Sequence, residues 1–340
     1  MIHIDPHRRM SAILPVVLVL ALIGRIPEGR SATANLSPGD LLVTTLTGGV
    51  FRVDPKSGNQ QAVSRGGFLD TPFGICVSTA GDIYVADANA LGGTGAIVRV
   101  DPASGSQSVV SSGGFFSSPG DVVIHPNGDL FVVNAGGDGQ EDRVIRVDPM
   151  TGQQTSVAAG VPFVAPAGLA VLPSGDLLVA DFLALPSATG TGAVFRVHLA
   201  DGRVDTLTHG QLIRFIRHVG VSAGGRIMVS DLDPISGDGR ILEIDPVTGT
   251  QSILASGGAL LVPEDLEFLG EDSLLVVARD GFPGLGPDGG VLKIDVATGA
   301  QDTVTSRQFL GEPFGLAVYR GGATPALQST WGSVKAKYRR

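Results

Sequence analysis

The sequence predicts an all-β fold: a six-bladed β-propeller of four antiparallel strands per blade. Three observations predict it. An Arg-Val-Asp-Pro unit starts at Arg52, Arg99 and Arg146 and returns as Arg196-Val-His-Leu, Glu243-Ile-Asp-Pro and Lys293-Ile-Asp-Val, at spacings of 47, 47, 50, 47 and 50 residues; such a period belongs to blades or solenoids. Glycine supplies 49 of 340 residues, while aromatics are 5% and charged residues 17%, a composition of short strands and many tight turns rather than helices. The two ends carry complementary leftovers, a second-type strand at Leu41 to Thr45 and a first-type strand at Phe314 to Tyr319. Joined in one sheet, they close the ring and remove its exposed edges.

Residues 1–34 precede the repeats and read as a signal peptide. His7, Arg8 and Arg9 lead into an apolar run from Ala12 to Gly24, followed by the small-x-small pattern Ala32-Thr33-Ala34. That run is shorter than the roughly 20 residues that span a bilayer. Its removal takes Arg8, Arg9, Arg25 and Arg30 against Asp5 and Glu28, leaving 20 basic and 31 acidic residues and a net charge of -11. The expectation is an exported protein, periplasmic or extracellular and monomeric, with no stable membrane span after cleavage. The acidic body argues against nucleic acid, whose backbone needs clustered Lys and Arg.

The propeller itself is expected over residues 35–322. Within one period, Ile83 to Asp87 and Ala96 to Asp101 are β-rich, and Asp101-Pro-x-Ser-Gly105 supplies the turn residues of a tight hairpin. Gln107 to Ser111 follows as a strand, then Gly120 to His125, which ends in the turn Pro126-Asn-Gly-Asp129. Cys76, the single cysteine, excludes an internal disulfide and reads as a buried core thiol in the apolar run Phe73 to Val77. Residues 323–340 form a basic C-terminal tail in which Thr330 can cap a short helix carrying Trp331, Val334 and Tyr338 on one face.

Chemistry is expected where the loops entering the innermost strands gather, at the mouth of the central channel. Asp87, Asn134, Asp181 and Asp231 each end a second strand there. A recurring carboxylate of this kind commonly accepts backbone N–H bonds, and Asn134, Asp181 and Asp231 are also candidate ligand contacts. The innermost positions run Gly74, Asp121, Gly168, His218, Asp265 and Gly315. Three glycines would keep the mouth open, while Asp121, His218 and Asp265 break the repeat with ionisable groups. These three are the candidate catalytic residues, as a general acid and base pair. Asp121, Asp265 and Glu264 are candidate ligands of a divalent cation, Ca or Zn. The segment HGQLIRFIRH, His209 to His218, brings Arg214 and Arg217 to the mouth of an acidic body, where they could grip a carboxylate or sulfate.

The pattern P-x-G-[IL]-x-V followed by G-[DN]-[IL]-[YFL]-V-[AV]-[DN] occurs as Pro72-Phe-Gly-Ile-Cys-Val and Gly81-Asp-Ile-Tyr-Val-Ala-Asp87. It resembles NHL-repeat and gluconolactonase-like six-bladed propellers over about residues 40 to 322. That resemblance implies the fold, and as one activity a metal that polarises a lactone carbonyl at the inner-strand starts. Pro263-Glu-Asp-Leu266 echoes the acidic position, whereas the early Glu-Gly-Pro and the Asn-Gly pair of those enzymes are missing. The function expected is therefore a ligand-binding or scaffold module for a small or polymeric ligand at the channel mouth. The alternative is a metal-dependent lactone or ester hydrolase. Gly220-Val-Ser-Ala-Gly224, Gly284-Leu-Gly-Pro-Asp-Gly289 and the acidic run Asp231, Asp233 and Asp238 lack the context of an elbow, a dinucleotide site or a calcium loop.

Overall fold

Each period supplies a nearly continuous apolar strand, such as LLVAD or SLLVVA. A strand that is apolar on both faces is stable only when both faces are covered, and a wheel of sheets covers them with neighbouring sheets. The computed structural model, which describes residues 34–137, 140–184, 191–279, 289–308 and 310–321, has this form. Twenty-four strands make six antiparallel four-stranded sheets.

Blade 1 runs Pro72–Val77, Ile83–Asp87, Ala96–Val100 and Gln107–Ser112 from the axis outward. Blades 2 to 5 repeat this order, with innermost strands Ser118–Ile124, Pro166–Val171, Phe215–Val221 and Pro263–Phe268. Blade 6 is built from both ends of the repeat region. Pro313–Val318 is its innermost strand and pairs antiparallel with Leu41–Thr45, which leads to Gly49–Val53 and Gln60–Arg65. The innermost strand of blade 6 lies beside that of blade 1, so the ring closes. We call the side on which innermost strands begin the front face and the side on which they end the rear face.

The core is distributed as six clusters, each between two blades. Between blades 2 and 3, for example, Phe131 and Val133 pack with Leu169, Val179 and Phe195, and each such side chain contributes about 1.5–3 kcal/mol on burial. Turn chemistry secures the rear face. Asp54 accepts N–H bonds from Lys56 and Ser57 at 2.8 and 3.0 Å, and Asp101, Asp148, Asp245 and Asp295 repeat the arrangement. In the same turns Gly105 takes φ +69°, and a Cβ there would lie 2.3 Å from the Val63 carbonyl of the preceding blade. Glycine is needed both for the turn and for the fit of one blade on the next.

A polar seam recurs between blades. The Gln107 side chain donates to Ser64 Oγ at 2.9 Å and accepts from the Phe68 amide at 2.7 Å, while Ser64 Oγ donates to the Gly105 carbonyl at 2.7 Å. Gln154 with Ser111, Gln251 with Thr208 and Gln60 with Thr305 repeat the pairing. Blades 2 and 3 meet at Ala158 and Val204 instead. Among the described residues no helix is long and apolar enough to cross a membrane. Of the expected signal segment only Ala34 is described, buried in a core cluster; the expected C-terminal tail and most of Gly284 to Gly289 lie outside the described residues.

Candidate functional site

The structure brings Asp121, His218 and Asp265 together on the axis. His218 Nε2 lies 2.9 Å from Asp121 Oδ2, a hydrogen bond that reaches from blade 4 over blade 3 to blade 2. Its Nδ1 lies 3.0 Å from Asp265 Oδ1 in blade 5, an ion-pair contact that is not aligned as a hydrogen bond. Each carboxylate is also tied to backbone. Asp121 accepts from the Val122 amide at 2.7 Å and from the Leu169 amide of blade 3 at 2.8 Å. Asp265 accepts from the Leu266 amide at 2.6 Å and from the Leu316 amide of blade 6 at 2.7 Å.

The glycines of this ring do not hold a mouth open, as the sequence suggested; they give room to side chains that close it. A Cβ on Gly168 would stand 2.6 Å from His218 Cα and 2.8 Å from its ring. One on Gly74 would stand 2.1 Å from Asp121 Oδ1. Gly315 has a similar function, because its Cβ would meet the Phe73 carbonyl at 2.3 Å. Thr44 completes the join of blades 6 and 1, donating to the Phe73 carbonyl at 2.5 Å and accepting from the Gly315 amide at 2.7 Å.

Burial disfavours a charged imidazole, yet the carboxylates of Asp265 and Asp121 outweigh it and push the His218 pKa up to about 10. Burial raises the Asp265 carboxyl, against the pull of His218. At neutral pH the ring is an imidazolium with both nitrogens protonated. In that state neither ring nitrogen offers a lone pair. The carboxylate oxygens point at the imidazolium and at backbone amides, and among the described residues no three His, Cys, Asp or Glu side chains converge as a metal-ligand set. Glu264, the third expected ligand, is buried with Arg279 Nη2 at 3.3 Å and Arg217 Nε at 3.9 Å. Two guanidinium groups repel a cation from it, so the residues expected to hold a divalent cation do not fit one.

Asn134, Asp181 and Asp231 are fully buried, with no exposed surface for a ligand. Asn134 Oδ1 accepts from the Ser117 amide at 2.8 Å, Asp181 from Val164 and Ala165 at 2.9 and 3.0 Å, and Asp231 from Arg214 at 2.8 Å. Each ties the loop that enters the innermost strand of its own blade. Burial lifts the Asp181 pKa to about 6 despite those amides. Asp231 also pairs with Arg240, whose other arm takes Asp233 at 3.0 Å, so two of the three residues of the acidic run are spent on one arginine.

Arg217 and Arg214 diverge. Arg217 sits at the front mouth with its guanidinium 4.8 Å from the Phe182 ring centroid, and Phe182 stacks on Phe215 at 5.0 Å. Its buried Nε has no hydrogen-bond partner among the described residues. Arg214 instead lines a groove between blades 3 and 4 with His209 and Thr191. Across the mouth, Phe73 and Phe314 meet edge to face at 4.7 Å. Phe182 and Arg279 follow the second strands of blades 3 and 5 at the same repeat position; they were missed in the sequence because that position carries Ala88, Ala135, Leu232 and Leu46 in the other blades, and only the fold brings them to Arg217 and Glu264.

No family model matches the chain, and no curated protein matches it. Solved structures do. A chain of the nidogen–laminin complex superposes with a TM-score of 0.66 at 16% identity, over 84% of this chain and 99% of that one. TolB from Acinetobacter baumannii gives 0.62 at 16% identity, over 82% and 66%. A protein assigned as a gluconolactonase gives 0.51 at 19% identity, over 70% and 81%. The chain is a six-bladed β-propeller. At these identities the likeness is one of fold, and a fold of this kind carries many functions.

Proposed function

We propose that this propeller is an exported ligand-binding module that receives an anionic ligand at its front mouth. The observation that carries the reading is the placement of Arg217. Its guanidinium lies on the Phe182 ring beside the buried Glu264. The Arg217 side chain keeps 27% of its surface exposed, and that surface is where an arriving carboxylate or phosphate pairs with it. At the rim itself two guanidinium groups, of Arg217 and Arg279, stand against the one carboxylate of Glu264.

Binding is favoured over hydrolysis because the groups that catalysis would need are occupied below the mouth. His218 is held protonated, and Asp121 and Asp265 are committed to it and to backbone amides. Export rests on the charged and apolar pattern of residues 1–34.

The test is a thermal-shift titration with benzoate, inorganic phosphate and benzylamine, alongside a lactone and ester hydrolysis panel. Benzoate or phosphate should raise the melting temperature, benzylamine should not, and Arg217→Gln should abolish the rise. Turnover that is lost in Asp121→Asn would overturn the reading, as would an anion response that survives Arg217→Gln. Cell fractionation checks the location.

A further inference from the structure

In front of the hub formed by Asp121, His218 and Asp265 lies one more layer of side chains, set by an irregularity that all six blades share. Each innermost strand shifts register against its partner strand just before its hub residue, for example between Pro166 and Gly168 and between Ile216 and His218. A bulge of this kind turns a side chain out of the ladder. The residues at it are Phe73, Gly120, Ala167, Arg217, Glu264 and Phe314, one from each blade in order. All but Glu264 are partly exposed, whereas the residue before each of the six is buried. Neighbours in this layer touch. The rings of Phe314 and Phe73 meet at 4.7 Å, Arg217 Nε lies 3.9 Å from Glu264, and a Cβ on Gly120 would stand 3.6 Å from the Ala167 carbonyl oxygen.

Chemistry divides the layer into three sectors of two blades each. Blades 6 and 1 present the phenylalanine pair, blades 4 and 5 the Arg217–Glu264 pair, and blades 2 and 3 only Gly120 and Ala167. Packing does not require the glycine. Gly120 does not take a positive φ, and a Cβ there would make only ordinary contacts, unlike one on Gly74, Gly168 or Gly315 of the hub. The room over blades 2 and 3 therefore comes from side-chain size alone. It lies between an aromatic wall and a guanidinium, and in a wheel of six blades Phe73 of blade 1 stands across the axis from Arg217 of blade 4. Phe182 holds one face of that guanidinium at 4.8 Å.

We propose that the ligand of the front mouth is an aryl carboxylate, a carboxylate carried on an aromatic ring without hydroxyl groups. The proposal rests on the anion reading of Arg217 and names the body that carries the charge. The carboxylate pairs with Arg217, and the ring lies over Gly120 and Ala167 against Phe73 and Phe314. A planar carboxylate matches a planar guanidinium, and a third ring extends the edge-to-face contact that Phe73 and Phe314 already make. A sugar acid fits less well. None of Phe73, Phe314, Gly120 and Ala167 has a side-chain group to replace the water its hydroxyls would lose.

Ligand-observed NMR titrations of the full chain with benzoate, acetate and glucuronate test this. Benzoate should bind at least about tenfold more tightly than either of the others, which corresponds to roughly 1.4 kcal/mol. Gly120→Leu, which puts a branched side chain where the ring lies, should bring benzoate down to the affinity of acetate, with circular dichroism verifying the fold. Phe73→Leu should narrow the gap between benzoate and acetate. Equal affinities for these two in the parent chain would overturn the aromatic ligand and leave the anion reading standing. Glucuronate as tight as benzoate would overturn it in favour of a sugar acid. A preference for benzoate that survives both Gly120→Leu and Phe73→Leu would place the ring elsewhere and also overturn it. Binding of none of the three acids would overturn the proposal together with the reading on which it rests.

Discussion

Alkaline pH should destabilise this propeller in proportion to the grip its two carboxylates exert on His218. The folded chain holds the imidazolium proton to about pH 10, against an ordinary value of 6.5. A pKa raised in the folded state means that the stabilisation is complete below about pH 6.5 and declines as pH climbs toward 10. Each unit is worth about 1.36 kcal/mol, so moving from pH 7 to pH 10 should cost about 4 kcal/mol. That is a large share of the 5–15 kcal/mol typical of a domain. The groups facing His218 are Asp121, Asp265, the Gly168 backbone and the Ser230 hydroxyl, which accepts from the His218 amide at 3.0 Å. Cys76 adds a slope of its own, since burial first and then Asp121 and Glu267 push its thiol well up and the unfolded thiol ionises sooner. Urea midpoints by circular dichroism at pH 7, 8, 9 and 10 should therefore be measured in a Cys76→Ala background, with and without His218→Gln. The parent should lose stability steeply over this range, and His218→Gln should be less stable at pH 7 but nearly flat. Equal slopes in the two chains would refute the assignment of the proton to His218.

Other perturbations bear on the hub and the seams. Gly74→Ala should cost about 1–3 kcal/mol in urea unfolding, because the new methyl would meet Asp121 Cα at 2.6 Å. Arg240→Ala leaves Asp231 buried without its cation and should cost about 3–5 kcal/mol by the same assay. Gln154→Ala should lower stability by about 1 kcal/mol through the lost Ser111 bond. The double change Ala158→Ser with Val204→Gln should raise it by a similar amount, by building the seam that blades 2 and 3 lack.

The architecture was legible because the physics that makes it is periodic. Turn aspartates, turn glycines and apolar second strands recur at blade length, and the split blade was visible as Leu41 to Thr45 and Phe314 to Tyr319. The interblade glutamines share that period, at Gln60, Gln107, Gln154, Gln251 and Gln301, so their role was within reach of the same reasoning. The inner ring was legible as a set of positions but not as chemistry. Nothing in linear spacing says that an imidazole in blade 4 lies across the glycine of blade 3 to reach a carboxylate in blade 2. That contact depends on the radius of the ring, which only the packed inner strands determine. The aromatic and arginine group at the front was illegible for another reason: Phe182 and Arg279 share one repeat position, and Arg217 and Glu264 share another, but the residue type at each changes from blade to blade.

The salt-linked crossbar of His218 with Asp121 and Asp265 spans the hub from blade 2 to blade 5, so three of the six spokes are joined at the axle as well as at their flanks.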